Sequence, residues 1–181
     1  DSSNQSNVLV AGCGTGQHSI EAAVRYASSN ITAIDLSLSS LSFALRQTRE
    51  LNIENINYLH GDILDLTSWE NRFDVIETTG VLHHMSDPML GWRILKRCLK
   101  PKGLMRVGLY SSLARAGLSE VKEKMGEVER PITNQKIYDY RNKVLDRAGL
   151  EFEKLARYPD FFSTSELRDL LFHVQEHTFT L

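Results

Sequence analysis

The spacing of apolar residues along this chain changes several times, and each change marks an element. Val8 to Ala11 is an unbroken apolar run of the length a strand buried on both faces needs, and helical spacing begins at Ile20. Ile20, Ala23, Val24 and Ala27 share one face of a helix that Ser28-Ser29-Asn30 ends with turn residues. Ile31 to Ile34 predicts a second strand with Asp35 at its carboxyl end, and Leu38, Leu41, Leu45 and Thr48 predict a helix from about Ser39 to Leu51. Ile56 to Leu59 predicts a third strand. A short helical turn around Leu64 to Glu70 leads to a fourth, Phe73 to Glu77. Ser86-Asp87-Pro88 has the form of a helix start, with proline in the first turn. Leu90, Ile94, Leu95 and Cys98 are the buried face of that helix, which Lys100-Pro101-Lys102-Gly103 closes, and Leu104 to Leu109 predicts a fifth strand.

Strands alternating with helices imply an α/β fold: a three-layer α/β/α sandwich around a mostly parallel sheet. After Tyr110 the alternation stops. Leu118, Val121, Met125 and Val128 predict one helix, broken by Arg130-Pro131. Ile137, Tyr140, Val144, Leu145 and Ala148 predict another, ended by Gly149. Ser163 and Glu166 can form a capping box for a third, with Leu167, Leu170, Leu171 and Val174 inward. The expectation is therefore a core over residues 1–110 and a helical tail of the same domain over 111–181. In that tail the run Arg157-Tyr158-Pro159-Asp160-Phe161-Phe162 is the best candidate for a substrate cover.

Size and charge narrow the picture. The chain's 181 residues suit one domain with a substantial core. A formal net charge of −2, with both signs spread along the chain, offers no basic field for nucleic acid and no polybasic tract for a membrane surface. Cys13 and Cys98 form no disulfide framework and have no metal-like spacing, which suits a reducing cytoplasmic setting and no metal site. No apolar run reaches membrane-spanning length. The polar lead Asp1–Ser6 has no initiating methionine, which predicts a fragment cut close to a domain edge.

The chemistry begins where the first strand stops, at Gly12-Cys13-Gly14-Thr15-Gly16. A strand, a glycine turn and a helix start together make a nucleotide-binding corner, because bare backbone lets a ligand approach closely. The dinucleotide fingerprint would put its third glycine at Gln17, and a phosphate-binding loop would need a lysine; neither is present. With Asp35 ending the next strand, the chain resembles the class I S-adenosylmethionine-dependent methyltransferases. The resemblance runs from about Val8 to Leu109, through Phe73-Asp74-Val75-Ile76, Val81-Leu82-His83-His84 and Leu99-Lys100-Pro101-Lys102-Gly103-Leu104. In the tail, Leu170 to His177 looks like a subset of bacterial methyltransferase domains often joined to other modules.

The resemblance implies a Rossmann-like sheet of order 3-2-1-4-5 with S-adenosylmethionine as cofactor and S-adenosylhomocysteine as product. Gly12, Gly14, Thr15 and Gly16 would pass under the methionine and ribose, and Asp35 would accept both ribose hydroxyls. Leu36, Asp62 and Ile63 would hold the adenine. Thr79, Gly80 and Val81 would line the methionine end, and His18 would close over the carboxylate from the helix start. His83, His84 and Tyr110 are the candidates to take a proton from an acceptor, although His83-His84 reads more simply as a packing pair. The acceptor is unidentified, and the charge balance favours a small molecule or protein over nucleic acid. The sequence departs from the family at Val10, where many members carry an acid, and in lacking a sixth and seventh strand. An uncovered fifth-strand edge would invite self-association. The rival readings are a non-catalytic binding module and, against the glycine spacing, a nicotinamide-dependent oxidoreductase.

Overall fold

The computed structural model describes residues 5–125, 128–147, 153, 155, 157–173 and 175–180, and only the backbone of Met125, Arg147, Ser165 and Glu166. The predicted places of Ala148, Gly149 and Val174, and of the Met125 and Glu166 side chains, lie outside the described residues. The chain divides into two compact units, Asp1–Leu109 and Tyr110–Leu181.

The first unit contains β1 (Asn7–Ala11), α1 (Gln17–Arg25), β2 (Asn30–Asp35), α2 (Leu38–Glu50), β3 (Ile56–His60), β4 (Phe73–Thr79), α3 (Pro88–Cys98) and β5 (Leu99–Gly108). All strand pairs are parallel, in the order β3-β2-β1-β4-β5. This is a Rossmann-like α/β/α sandwich. Alternation along the buried strands separates its two cores. Val8 and Val10 join Ile31, Ala33, Ala22 and Leu41 on the face covered by α1 and α2. Leu9 and Ala11 join Ile34, Ile76, Ile94 and Leu95 on the α3 face.

Leu90 of α3 and Leu145, both expected on inward helix faces, are 40% and 42% exposed. Three further elements differ from the sequence expectation, each for a local reason. Helix α1 starts at Gln17 because Gly16 is left-handed (φ 97°) and the helix follows at once. Its inward residues are Ser19, Ala22 and Ala23, while Val24 is 68% exposed. Helix α2 is capped by Ser37, whose hydroxyl accepts the Ser40 N–H at 3.2 Å. It buries Leu41, Ala44 and Thr48, leaving Leu38 and Leu45 outside. Strand β5 begins at Leu99 rather than Leu104: Phe73 pairs with Leu99 and Val75 with Leu104, so residues 100–103 bulge out opposite Asp74. Lys102 takes a left-handed conformation (φ 66°) within that bulge.

Asp74 ties three strands together at their amino ends. Its Oδ2 accepts the Asn7 N–H of β1 at 2.8 Å, and Lys100 of β5 donates to both carboxylate oxygens at 2.9 and 2.8 Å. In the middle of β4, Glu77 is buried and takes Arg25 at 2.7 Å and the Tyr26 hydroxyl at 3.1 Å.

The second unit contains α4 (Ser112–Met125), α5 (Asn134–Arg147), a 3₁₀ turn Pro159–Phe162 and α6 (Thr164–Phe172). Leu118, Val121, Ile137, Val144, Phe161, Leu167 and Leu170 form its core. Tyr158 and Phe161 of the expected cover segment pack against this core, and the Tyr158 hydroxyl donates to the Ala114 carbonyl at 2.7 Å; Phe162 is exposed. Among the described residues the sheet has no sixth or seventh strand, and an isolated parallel bridge joins Ser111 to Phe179. No described helix is long and apolar enough to cross a membrane, and no described cluster of His, Cys, Asp and Glu has the makings of a metal site.

Candidate cofactor cleft

The glycines after β1 are all left-handed, yet they do different work. A Cβ on Gly12 (φ 77°) would lie 2.1 Å from Val81 Cγ2, and one on Gly16 would lie 2.6 Å from the Ala44 Cβ. Both are closely packed positions. Gly14 (φ 52°) meets nothing within 4 Å, and neither does Gly80 (φ 79°) in the turn after β4. These two leave open space above the carboxyl ends of β1 and β4, where ligands bind in sheets of this kind.

Around that space is a cleft of about 260 Å³. Gly12, Gly14 and Gly80 give it bare backbone; Asp35 and Asp62 give it carboxylates. Ile34, Leu36, Ile63, Val81 and Met85 supply apolar wall, with Gly61 and His84 completing the lining. Asp35 is fixed by the backbone on either side of it. Its Oδ2 accepts the Gly14 N–H at 2.7 Å and its Oδ1 accepts the Ser37 N–H at 2.9 Å. A carboxylate has about four lone-pair sites, so each oxygen retains capacity for a ligand hydroxyl. Asp62 caps the 3₁₀ turn Ile63–Ser68 by accepting the Leu64 N–H at 2.9 Å. That turn brings the buried Ile63 into the cleft wall. Leu36 is 66% exposed at the cleft, an apolar surface left without protein cover.

The other predicted residues are placed differently. Gly16 packs against α2, Thr15 is exposed, and neither lines the cleft; nor does His18. Thr79 turns its methyl toward Gly108, so that the β4 turn meets the cleft through Gly80 and Val81. The two histidines separate. His83 is buried at 1% exposure, while His84 lines the cleft, and their rings meet edge-on with centroids 4.3 Å apart. Tyr110 belongs to the second unit, where the Arg115 guanidinium lies 3.3 Å from its ring centre. Burial pushes the Tyr110 phenol up, so it is protonated and can donate rather than take a proton at neutral pH. Cys13 is buried in the glycine turn, and burial, reinforced by the Asp35 charge, pushes its thiol up to about 12.

Gly61 opens the Gly-Asp-hydrophobic motif that carries Asp62 and Ile63, whereas Ile34 and Met85 are not singled out by the sequence. Each of these two neighbours a motif residue at a strand end, and that adjacency is their one sequence signal. Met85 fits its place because α3 has a glycine beside it: a Cβ on Gly91 would lie 2.5 Å from the Met85 sulfur.

The family described as "Methyltransferase domain" matches residues 2–149. The chain belongs to the class I S-adenosylmethionine-dependent methyltransferases. S-adenosylmethionine is accordingly the cofactor of this methyltransferase domain. An uncharacterized protein of Synechococcus sp. is 30% identical over 138 residues, which is 76% of this chain and 32% of that protein. A tRNA (guanine-N(7)-)-methyltransferase of Pediococcus pentosaceus is 28% identical over 172 residues, covering 95% of this chain and 74% of the enzyme. The domain thus spans about a third of the first relative and about three quarters of the second. Among solved structures, PKMT2 from Rickettsia typhi in complex with AdoHcy matches with TM-score 0.72 at 21% identity, over 97% of this chain and 36% of that one. At that identity the match speaks for the fold.

Proposed function

We propose that this domain transfers a methyl group from S-adenosylmethionine to a nucleophilic atom of a small molecule or a protein side chain. The observation that carries the proposal is the convergence of Asp35, Asp62, Gly14 and Gly80 on one cleft at the carboxyl ends of the strands. The residues suit the cofactor part by part. Asp35 retains acceptor capacity for a vicinal diol, Leu36 and Ile63 offer apolar faces to a flat base, and Asp62 is placed to accept from its amino group. Gly80, Val81 and Met85 form the wall left for the methionine end. When bound, the cofactor supplies a methyl group on a positively charged sulfur, an electrophile that needs little activation.

The work left to this chain is alignment. Holding nucleophile and electrophile in line can remove about 7–11 kcal/mol of barrier in favourable cases. His84 is the residue to take a proton from an oxygen or nitrogen acceptor, because it lines the cleft; His83 braces it from the interior. The net charge of −2 favours an uncharged or cationic acceptor over nucleic acid. A second reading, methylation of a tRNA base, is favoured by the Pediococcus relative.

The test is calorimetric titration with S-adenosylhomocysteine, followed by measurement of its release from S-adenosylmethionine in the presence of phenols and amines, peptide pools, or bulk tRNA. Turnover with one class identifies the acceptor. Binding without turnover in the full-length parent protein would instead support a binding module. Failure to bind S-adenosylhomocysteine, with reduced nicotinamide cofactor bound in its place, would overturn the proposal.

A further inference from the structure

The second unit holds a feature that the cofactor cleft does not explain. A hollow of about 670 Å³ lies beside Arg130, Ile132, Arg168, Asp169, Phe172 and His173. Its two guanidinium groups are each tied to a neutral acceptor. Arg130 Nη2 donates to the Phe172 carbonyl at 3.3 Å. Arg168 donates from Nη1 to the Ile132 carbonyl and from Nη2 to Asn134 Oδ1 at 2.9 Å. Among the described residues neither arginine forms an ion pair, although other carboxylates in the same unit are taken. Glu129 is held by Lys136 at 3.3 Å, and Glu176 by Lys122 at 2.8 Å.

A guanidinium carries five N–H donors and stays charged at any physiological pH. After the bonds above, Arg130 keeps four donors and Arg168 three. Because both are already anchored, a ligand that meets them loses less to side-chain ordering than it would with free arginines. Ile132 and Phe172 give the hollow apolar walls. His173 adds a ring oriented by its neighbour: Nδ1 lies 2.9 Å from the Gln175 carbonyl, which can only accept, so Nδ1 carries the proton. Asp169 is exposed and contributes one negative charge to the lining.

We infer that this hollow binds a single compact oxyanion, the phosphate or carboxylate group of a small ligand, held by Arg130 and Arg168. Asp169 sets the limit on its size. One oxyanion is outweighed by the two cations of the lining, whereas a run of phosphates such as an RNA backbone would add negative charge to a hollow that already holds a carboxylate. The site is separate in its residues from the adenosylmethionine cleft and does not depend on the identity of the methyl acceptor.

The experiment is titration of the full chain, followed by nuclear magnetic resonance, with inorganic phosphate in one arm and acetate in the other. Pyrophosphate and short RNA serve as extended competitors. Saturable binding in the millimolar range is expected, centred on Arg130, Arg168 and His173. Arg130→Gln and Arg168→Gln should each weaken it at least about tenfold, the loss of roughly one charge-assisted bond. Asp169→Asn should tighten it and admit pyrophosphate. The stronger arm distinguishes a phosphate ligand from a carboxylate one. S-adenosylhomocysteine titration of the same variants reports separately on the cleft, and its affinity should not change. Absence of saturable binding by either anion, or undiminished binding in a folded Arg130→Gln/Arg168→Gln double variant, would overturn the inference.

Discussion

Asp35 reaches back across the β1 turn to hold the Gly14 amide, with Oδ2 2.7 Å from the nitrogen. The residue proposed to grip the ribose is therefore also the residue that shapes the glycine turn beneath it. Asp35→Ala removes both functions and should weaken S-adenosylhomocysteine binding by at least about tenfold, since hydrogen bonds to a charged group contribute roughly 1.5–3 kcal/mol. Asp35→Asn keeps one acceptor oxygen and should fall between the two. Calorimetry on folded variants measures both, and an unchanged dissociation constant for Asp35→Ala would remove Asp35 from the site.

The glycines separate by what surrounds them. Gly12→Ala drives a methyl to 2.1 Å from Val81 and Gly16→Ala to 2.6 Å from Ala44, each at a left-handed φ. Both should cost stability on the order of 2 kcal/mol or more in denaturant unfolding. Gly14→Ala meets no atom within 4 Å and should cost only its backbone strain, about 1–2 kcal/mol, while its methyl projects into the cleft and lowers cofactor affinity. Equal destabilisation at all three positions would contradict this division.

Both cysteines should be silent toward thiol reagents in the folded protein. Burial raises the Cys13 thiol to about 12 and raises Cys98 as well, so at pH 8 neither presents a thiolate. A colorimetric thiol assay should count none in native buffer and two in denaturant. Rapid native labelling would show that the β1 turn opens.

The Asp74 carboxyl is held below the ordinary carboxylate range, first by the Asn7 amide and then by Lys100. A depressed carboxyl favours the folded state above its unfolded value, about pH 4, and that contribution disappears as acid protonates it in the native protein. Its side chain is 35% exposed, so the effect is modest, up to about 1 kcal/mol. Asp74→Asn should lower the melting temperature at pH 7 and narrow the gap to the parent as pH falls below 4. A gap that widens in acid would reverse the sign of the argument.

The sheet was legible because its strands are buried on both faces, so Val8–Ala11 and Ile31–Ile34 stand out without any partner being known. The strand order came through the family resemblance. The inward faces of the helices were harder to read, since a face depends on where the helix starts. Gly16 starts α1 three residues before the apolar spacing does, which turns Val24 outward. The start of β5 was hidden by Lys100-Pro101-Lys102-Gly103, residues that read as a stop but form a bulge within the strand. In the cleft, charged motif residues such as Asp35 and Asp62 were visible in the sequence. Met85 was not, because its place rests on the space left by Gly91. Single-residue functions inside one motif also blurred: three glycines look alike in a row, and their surroundings distinguish them.

The Asp74 junction lies at the opposite end of the strands from the cleft. The frame is thus riveted at its foot, and the turns that line the cleft hang from its crown, apart from the rivet. A substitution at that junction would be felt in the frame and leave the shape of the cleft as it is, whereas one at Gly80, whose turn meets open space, would be felt first by the guest.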